Sequence, residues 1–184
     1  MPDHGELCYL PWDVTSTAGS LRCEVQSRAM PIRFIRELLP DDASLIWKFQ
    51  AINDGNEPLA MQHVMHPLMP LDVVEFIALP FFESAWDQRA KADLQGVVFP
   101  GQVIDYLLMR PPRTATMLML RGVKENTFAL RFKGGPDLRV RFPLEYFDTL
   151  GIWWNRDAYP NEDGCRRNEC AIAAIAGPTS NLSE

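Results

Sequence analysis

Residues 117–142 read MLMLRGVKENTFALRFKGGPDLRVRF, and this stretch decides the fold class. It contains two short runs of β-type residues, 117–120 and 127–132, on either side of a polar connection. Residues 134–137 then supply glycine, proline and aspartate for a turn, after which apolar and polar residues alternate up to Phe142. The pattern predicts a meander of β-hairpins.

The same alternation occurs in the first third of the chain. Leu21, Cys23 and Val25 share one parity and predict a half-buried strand. A second strand is predicted where apolar residues alternate up to Ala51, and the Asn-Asp-Gly-Asn run that begins at Asn53 ends this strand with a turn.

Helices are expected to be rare. The 15 prolines and 11 glycines interrupt the chain so often that residues 82–92 form the window best suited to a helix of three turns. Short strands without intervening helices favour an antiparallel sandwich or barrel over a parallel α/β sheet. We therefore predict a mainly β chain folded as an antiparallel β-sandwich.

The composition indicates a single domain over residues 1–184, since 47% of the residues are hydrophobic and 23% are charged. The net charge of -6, the pI near 5.1 and the scattered lysines and arginines argue against nucleic acid or anionic lipid as partners. No apolar run approaches the length of a membrane span, and the first residues lack the pattern of a signal peptide. These features predict a cytoplasmic protein with no membrane partner.

Neither a metal site nor a cofactor is expected. The four cysteines show no CxxC spacing, so the pattern favours reduced thiols over a disulfide framework or a zinc ribbon. The chain also lacks a glycine-rich phosphate loop, a Gly-x-Ser-x-Gly nucleophile elbow and an HExxH motif. The common signatures of nucleotide, acyl-transfer and zinc chemistry are therefore missing from the sequence.

Segments spread along the chain resemble, in order, the motifs of one family. Residues 2–14 contain a His-Gly pair with a downstream Pro-Trp, and residues 53–68 contain Asn-Asp-Gly followed by His-Pro-Leu. Residues 150–155 form a Gly-hydrophobic-Trp strand, and residues 171–182 follow as a terminal strand. This order resembles the galactose mutarotase-like (aldose 1-epimerase) superfamily. Each short motif is common by itself, so the resemblance depends on the order and spacing of all of them.

The resemblance implies a galactose-mutarotase-like supersandwich that binds a hexose or a related small-molecule carbohydrate. Mutarotation needs an acid for the ring oxygen and a base for the anomeric hydroxyl. His66 matches the family's acid, and His4 matches the histidine that binds the sugar near the reacting centre, so both are candidate catalytic residues. Trp153 and Asn155 are candidate substrate-binding residues, which would offer the sugar an aromatic face and a carboxamide.

The family's base has no counterpart in this sequence. When Gly177, Ser180 and Leu182 are matched to the family's terminal Gly, Asp and Leu, the position of the base falls on Ala173. Glu169 has the parity of Ala173, but four extended residues separate the two by roughly 13 Å. The resemblance therefore implies an aldose 1-epimerase-like protein whose turnover lacks a matching base.

Two other functions stay open: a non-catalytic sugar-binding protein, and a structural or assembly protein of the same fold. Full family members begin with additional strands upstream of the His-Gly motif, so the chain is expected to be an N-terminally shortened member. A partner chain or a homo-oligomer would then cover its exposed sheet edges. Structural interpretations also stay open, as a strand-end histidine for His66 and as core packing for Trp153.

Overall fold

The computed structural model describes residues 5–160, 164 and 166–179. The chain forms two compact units, Met1–Ala60 and Met61–Glu184. The expectation of one domain over residues 1–184 stays a prediction, because compactness alone does not show whether a unit folds independently. None of the helices in the described residues has the length and apolar character that a bilayer crossing requires.

The first unit is a single antiparallel sheet. Its four strands follow one another in space as they do along the chain: β1 Asp13–Thr17, β2 Ser20–Gln26, β3 Ile32–Asp41 and β4 Ser44–Asn53. The predicted strand around Leu21, Cys23 and Val25 is confirmed as β2, and the strand that ends at the Asn-Asp-Gly turn is confirmed as β4. Val25, Ile32 and Phe34 form the buried centre of this unit.

The second unit contains two antiparallel sheets and one α-helix. Its elements are β5 Leu68–Pro70, a short 3-10 helix Leu71–Val73, β6 Val74–Ala78, β7 Ser84–Asp87, β8 Ala92–Asp93, α1 Pro100–Leu108, β9 Thr114–Arg121, β10 Thr127–Phe132, β11 Leu138–Arg141, β12 Thr149–Pro160 and β13 Arg166–Ile175. The larger sheet has the order β5-β13-β12-β9-β7-β8, and the smaller sheet has the order β11-β10-β6.

The two sheets of the second unit share one hydrophobic core. Alternate residues on one face of the larger sheet pack with residues of the smaller sheet and of α1. Fully buried members include Leu118, Leu120, Ile152, Phe128, Leu130, Val103 and Leu107. Two sheets that enclose one core form a sandwich. The prediction of a mainly β chain with antiparallel sheets is therefore confirmed.

The predicted meander holds only in its second half. β10 and β11 form the expected hairpin, with Leu130 opposite Leu138. The expected pairing of β9 with β10 is wrong, because β9 pairs with β12 and β7 in the larger sheet. Residues 122–126 carry the chain from one sheet to the other, so β9 and β10 contribute to the same core from opposite sides.

The predicted helix over residues 82–92 is also wrong, since this stretch contains β7 and the start of β8. The helix is α1, which begins at Pro100. A proline is tolerated in the first turn of a helix because its missing N–H would have no intrahelical partner. The Gln102 side chain accepts hydrogen bonds from the backbone N–H of Val98 (2.9 Å) and Phe99 (3.0 Å), which fixes the helix start.

Candidate functional site

The predicted site residues of the second unit belong to the face of the larger sheet that points away from the shared core. Directly paired residues of neighbouring strands point to the same side. Trp153 pairs with Ala171 on β13 and with Met117 on β9. We call this side of the sheet the site face, and its central members are Met117, Met119, Gly151, Trp153, Asn155, Glu169, Ala171, Ala173 and Ile175.

His66 lies beside β13, at the edge of this face. Val64 forms a bridge with Ile175, and Leu68 pairs with Ala171. The same antiparallel register, continued between these two pairs, places His66 opposite Ala173. Val64, which has the same parity as His66, packs against Ala173 and Ile175 on the site face. The candidate acid is therefore next to the position that the family resemblance assigns to the base.

His4 lies outside the described residues, so its approach to the sugar stays a prediction.

The middle of the site face is apolar and closely packed. Ala173 is 1% exposed, and a Cβ on Gly151 would lie 2.5 Å from Cδ1 of Ile175 and 2.8 Å from Cε of Met117. Position 151 therefore accepts glycine because its neighbours fill the space above it.

The two adjacent tryptophans point in opposite directions, as expected for a strand. Trp154 is 6% exposed and belongs to the core between the sheets. Trp153 is half-buried on the site face, where its ring packs edge-on against Tyr159 with centroids 5.5 Å apart. The two rings therefore lie on opposite sides of the sheet, and a contact between Trp153 and a sugar stays a prediction.

Glu169 supplies a carboxylate beside the Trp153 indole. The Nε1–H of Trp153 donates to Oε1 of Glu169 (3.4 Å), and Arg167 approaches the other carboxylate oxygen to 3.8 Å. The Glu169 side chain is 13% exposed. From the sequence, Glu169 was considered only as a replacement base. Its shared parity with Ala173 was the signal that it belongs to the same face.

Asn155 is fully buried, and both ends of its amide are occupied. Its Oδ1 accepts from the backbone N–H of Ala158 (3.0 Å) and of Tyr159 (3.1 Å). Its Nδ2 donates to the Tyr159 carbonyl and to Glu169, at 3.3 Å each. These bonds fold the backbone around Asp157, which has a φ of 57°. Direct contact of Asn155 with a sugar stays a prediction, and the geometry favours a role in positioning Tyr159 and Glu169.

We expect Asn155→Ala to lower the free energy of unfolding by about 2–3 kcal/mol, because two backbone donors would lose their acceptor in a buried place. Urea denaturation followed by tryptophan fluorescence measures the loss. The matched variant Asn155→Asp keeps an acceptor oxygen for both N–H groups, so it should lose less. A loss below about 0.5 kcal/mol for Asn155→Ala would contradict the positioning role.

Arginines stack on aromatic rings at two places along the site face and its rim. The Arg89 guanidinium lies 5.0 Å from the ring centre of Tyr159, and its Nη1 donates to the Tyr159 hydroxyl (2.7 Å). The Arg121 guanidinium lies 4.7 Å from the ring centre of Trp86. Such pairs hold a planar cation over an aromatic face. The Nε of Arg121 also donates to the backbone carbonyl of Pro178 (2.9 Å).

Cys170 is not available as a base on the site face. Its side chain points into the core, where burial, and secondarily the charge of Glu169, raises the pKa of the thiol to about 12. The thiol is therefore protonated at neutral pH. Among the described residues, no group of three His, Cys, Asp or Glu side chains is arranged to hold a metal ion.

A surface groove of about 380 Å³ opens at the β7 and β8 edge of the larger sheet, lined in part by Ser84, Asp93 and Arg121. It does not include Trp153, which lies on β12, or His66, which lies beside β13. The structure thus brings His66, Trp153, Asn155 and Glu169 to one face but does not extend this groove to them.

Comparison of the chain with protein-family models, with curated proteins and with solved structures found no match. The assignment to the galactose mutarotase-like superfamily therefore remains a prediction from the motifs.

Proposed function

We propose that the chain is an aldose 1-epimerase-like protein that binds a hexose or a related carbohydrate on the site face, with mutarotase turnover weakened by the missing base. The observation that carries this proposal is the register that places His66 opposite Ala173, on the face that also holds Trp153 and Glu169. This register brings His66 to the same face as Trp153, Glu169 and Ala173, which lie more than 80 positions further along the sequence.

The Trp153 end of the site face has the groups that a pyranose requires. The face of an indole packs against the C–H side of a sugar ring, and Tyr159 supports it from the edge. The Glu169 carboxylate can accept hydrogen bonds from sugar hydroxyls, and the Arg89 guanidinium can donate them. A small number of fixed polar groups beside an aromatic surface is typical of small-ligand sites.

Turnover would use His66 as the acid that protonates the ring oxygen. The opposite position, Ala173, has no group that can accept the proton of the anomeric hydroxyl. Glu169 lies four residues before Ala173 on β13, and this length of extended strand places the two residues roughly 13 Å apart. Loss of a positioned base costs about 100- to 10,000-fold in rate. The proposal therefore predicts sugar binding with little acceleration of mutarotation.

The test is an NMR titration with galactose and with glucose that follows the indole N–H of Trp153, assigned with Trp153→Phe. We expect a saturable shift, because a sugar stacked on the ring changes the environment of the N–H. Exchange of the α and β anomers, measured on the same samples, should be only slightly faster than for His66→Ala. Absence of saturable binding to either sugar would contradict the proposal, and a stable oligomer in that case would favour an assembly function.

A further inference from the structure

Arg36 lies at the centre of an apolar face of the four-stranded sheet. It belongs to β3 and pairs with Cys23 on β2 and with Phe49 on β4. Phe34, which precedes it on this face, and Leu38, which follows it, are both apolar. On the two edge strands of this face, hydrophobic side chains are left open to solvent, with exposed fractions of 61% for Val14 on β1 and of 60% for Leu45 and 44% for Trp47 on β4.

Aromatic rings surround the Arg36 guanidinium. Its Cζ atom lies 4.6 Å from the ring centre of Trp12 and 5.9 Å from the ring centres of Trp47 and Phe49. The Nε atom is buried without a hydrogen-bond partner. The two terminal nitrogens also donate no hydrogen bond within the described residues, yet they are not buried. The group therefore presents, at the open side of the cluster, donors that no described residue uses.

Among the residues that the structure describes, Arg36 has no counter-charge of the kind that the other arginines of this sheet have. Arg22 and Arg33 lie on the opposite face, where both pair with Glu24 (2.6 and 3.2 Å). Within the described part of the chain, Arg36 makes no ion pair with any carboxylate. A cation in apolar surroundings without a counter-ion is unfavourable, and ring contacts offset only part of that cost.

The Arg36 guanidinium and the Trp47 ring indicate the chemistry of a complementary ligand. A guanidinium edge matches the two oxygens of a carboxylate, and each bond is strengthened by the charges. The half-exposed Trp47 ring, within the same cluster, offers a flat surface to a second ring. The complementary molecule therefore carries a carboxylate attached directly to a ring.

We propose that this face of the first unit is a binding site for a ring-borne carboxylate, with the carboxylate on the Arg36 guanidinium and the ring on Trp47. Both uronate sugars and aromatic acids have this chemistry. The site consists of residues of the first unit alone, and the proposal does not depend on the function proposed for the second unit.

The experiment is a titration of the full chain with galacturonate and with benzoate, followed by the indole N–H signal of Trp47 in NMR spectra. Galactose and benzyl alcohol are the matched uncharged probes. At least one carboxylate should bind saturably, and comparison of the two identifies whether a pyranose or an aromatic ring is preferred. Its uncharged counterpart should bind at least about tenfold more weakly, because it cannot form the charge-assisted bonds.

Variants of the arginines separate this site from other causes. Arg36→Gln should weaken carboxylate binding by about 10- to 100-fold, since hydrogen bonds to a charged group are lost. The control Arg22→Gln removes the same charge from the opposite face and should bind like the wild type. His66→Ala should also leave this binding unchanged, which distinguishes the site from the proposed sugar site. Arg36→Lys keeps the charge without the planar fork and should give intermediate affinity.

Several results would overturn the proposal. Equal affinity for the charged and uncharged probes would show that Arg36 does not select the ligand, as would equal losses in Arg36→Gln and Arg22→Gln. A concentration-dependent dimer that excludes both carboxylates, seen by sedimentation, would assign the apolar face to a second copy of the chain instead. A folded Arg36→Gln variant with unchanged binding would refute it directly.

Discussion

Ala173→Glu is expected to raise the rate of hexose mutarotation by about 100- to 10,000-fold over the wild type, because it places a general base opposite His66. The register of residues 64–68 along β13 sets this geometry. The new carboxylate would take the anomeric proton while His66 protonates the ring oxygen. Polarimetry of freshly dissolved α-galactose measures the rate. His66→Ala in the same background should remove most of the gain.

The control for this gain-of-function test is Ala173→Gln, which adds nearly the same volume without a basic oxygen. Position 173 is 1% exposed and packs with Met119 and Ile175, so both variants crowd the sheet face. If crowding prevents folding, the same pair can be compared with Met119→Ala added to make room. Equal rates for the folded glutamate and glutamine variants would rule out an acid and base pair at these positions.

Asp87→Ala should lower the free energy of unfolding by about 3–5 kcal/mol, one of the larger losses open to a single substitution in this chain. Asp87 is 2% exposed. Its Oδ1 accepts from the backbone N–H of Arg89 (2.9 Å) and Ala90 (3.0 Å). Its Oδ2 accepts from the hydroxyls of Tyr106 (2.9 Å) and Thr116 (3.5 Å). The carboxylate thus ties β7 to α1 and β9, and alanine would leave these donors without an acceptor.

Urea denaturation of Asp87→Ala and two milder variants measures this effect. Asp87→Asn keeps one acceptor oxygen and should lose less. Tyr106→Phe removes a single donor and should cost about 1 kcal/mol. Burial, and then the hydrogen bond to Asp87, raises the pKa of Tyr106, so the phenol remains a donor at neutral pH. A loss below about 1 kcal/mol for Asp87→Ala would show that water replaces the carboxylate in this network.

The strands of the fold were predictable because their signal is local. Alternation around Leu21 and before Asn53 identified β2 and β4, and the Gly-Gly-Pro-Asp turn identified the hairpin of β10 and β11. The partner of β9 was not predictable in this way. Both faces of that strand are apolar, so its pattern does not distinguish pairing with β10 from packing against it. The helix was missed because Pro100 was counted as a breaker and not as a first-turn residue.

The candidate site was also predictable only where the signal is local. Strand parity was enough to separate Trp153 from Trp154. The position of His66 opposite Ala173 depends on pairing between segments that are about 100 residues apart, and no local pattern encodes such a register. The hydrogen bonds between the Asn155 amide and its own turn were not predictable either. An asparagine within a strand has the same sequence signal whether its side chain contacts a ligand or the backbone.

The modest apolar centre of the first unit has a further consequence. The buried cluster of Val25, Ile32 and Phe34 is the apolar centre of a unit of about 60 residues, a size at which folding leaves little surplus free energy. Strands that pack on so small a core unfold locally more often than strands of a larger core, and they are more accessible to proteases. A ligand that binds Arg36 only when the sheet is folded would stabilise this unit. The occupancy of Arg36 would therefore set how long the first sixty residues resist proteolysis in the cell.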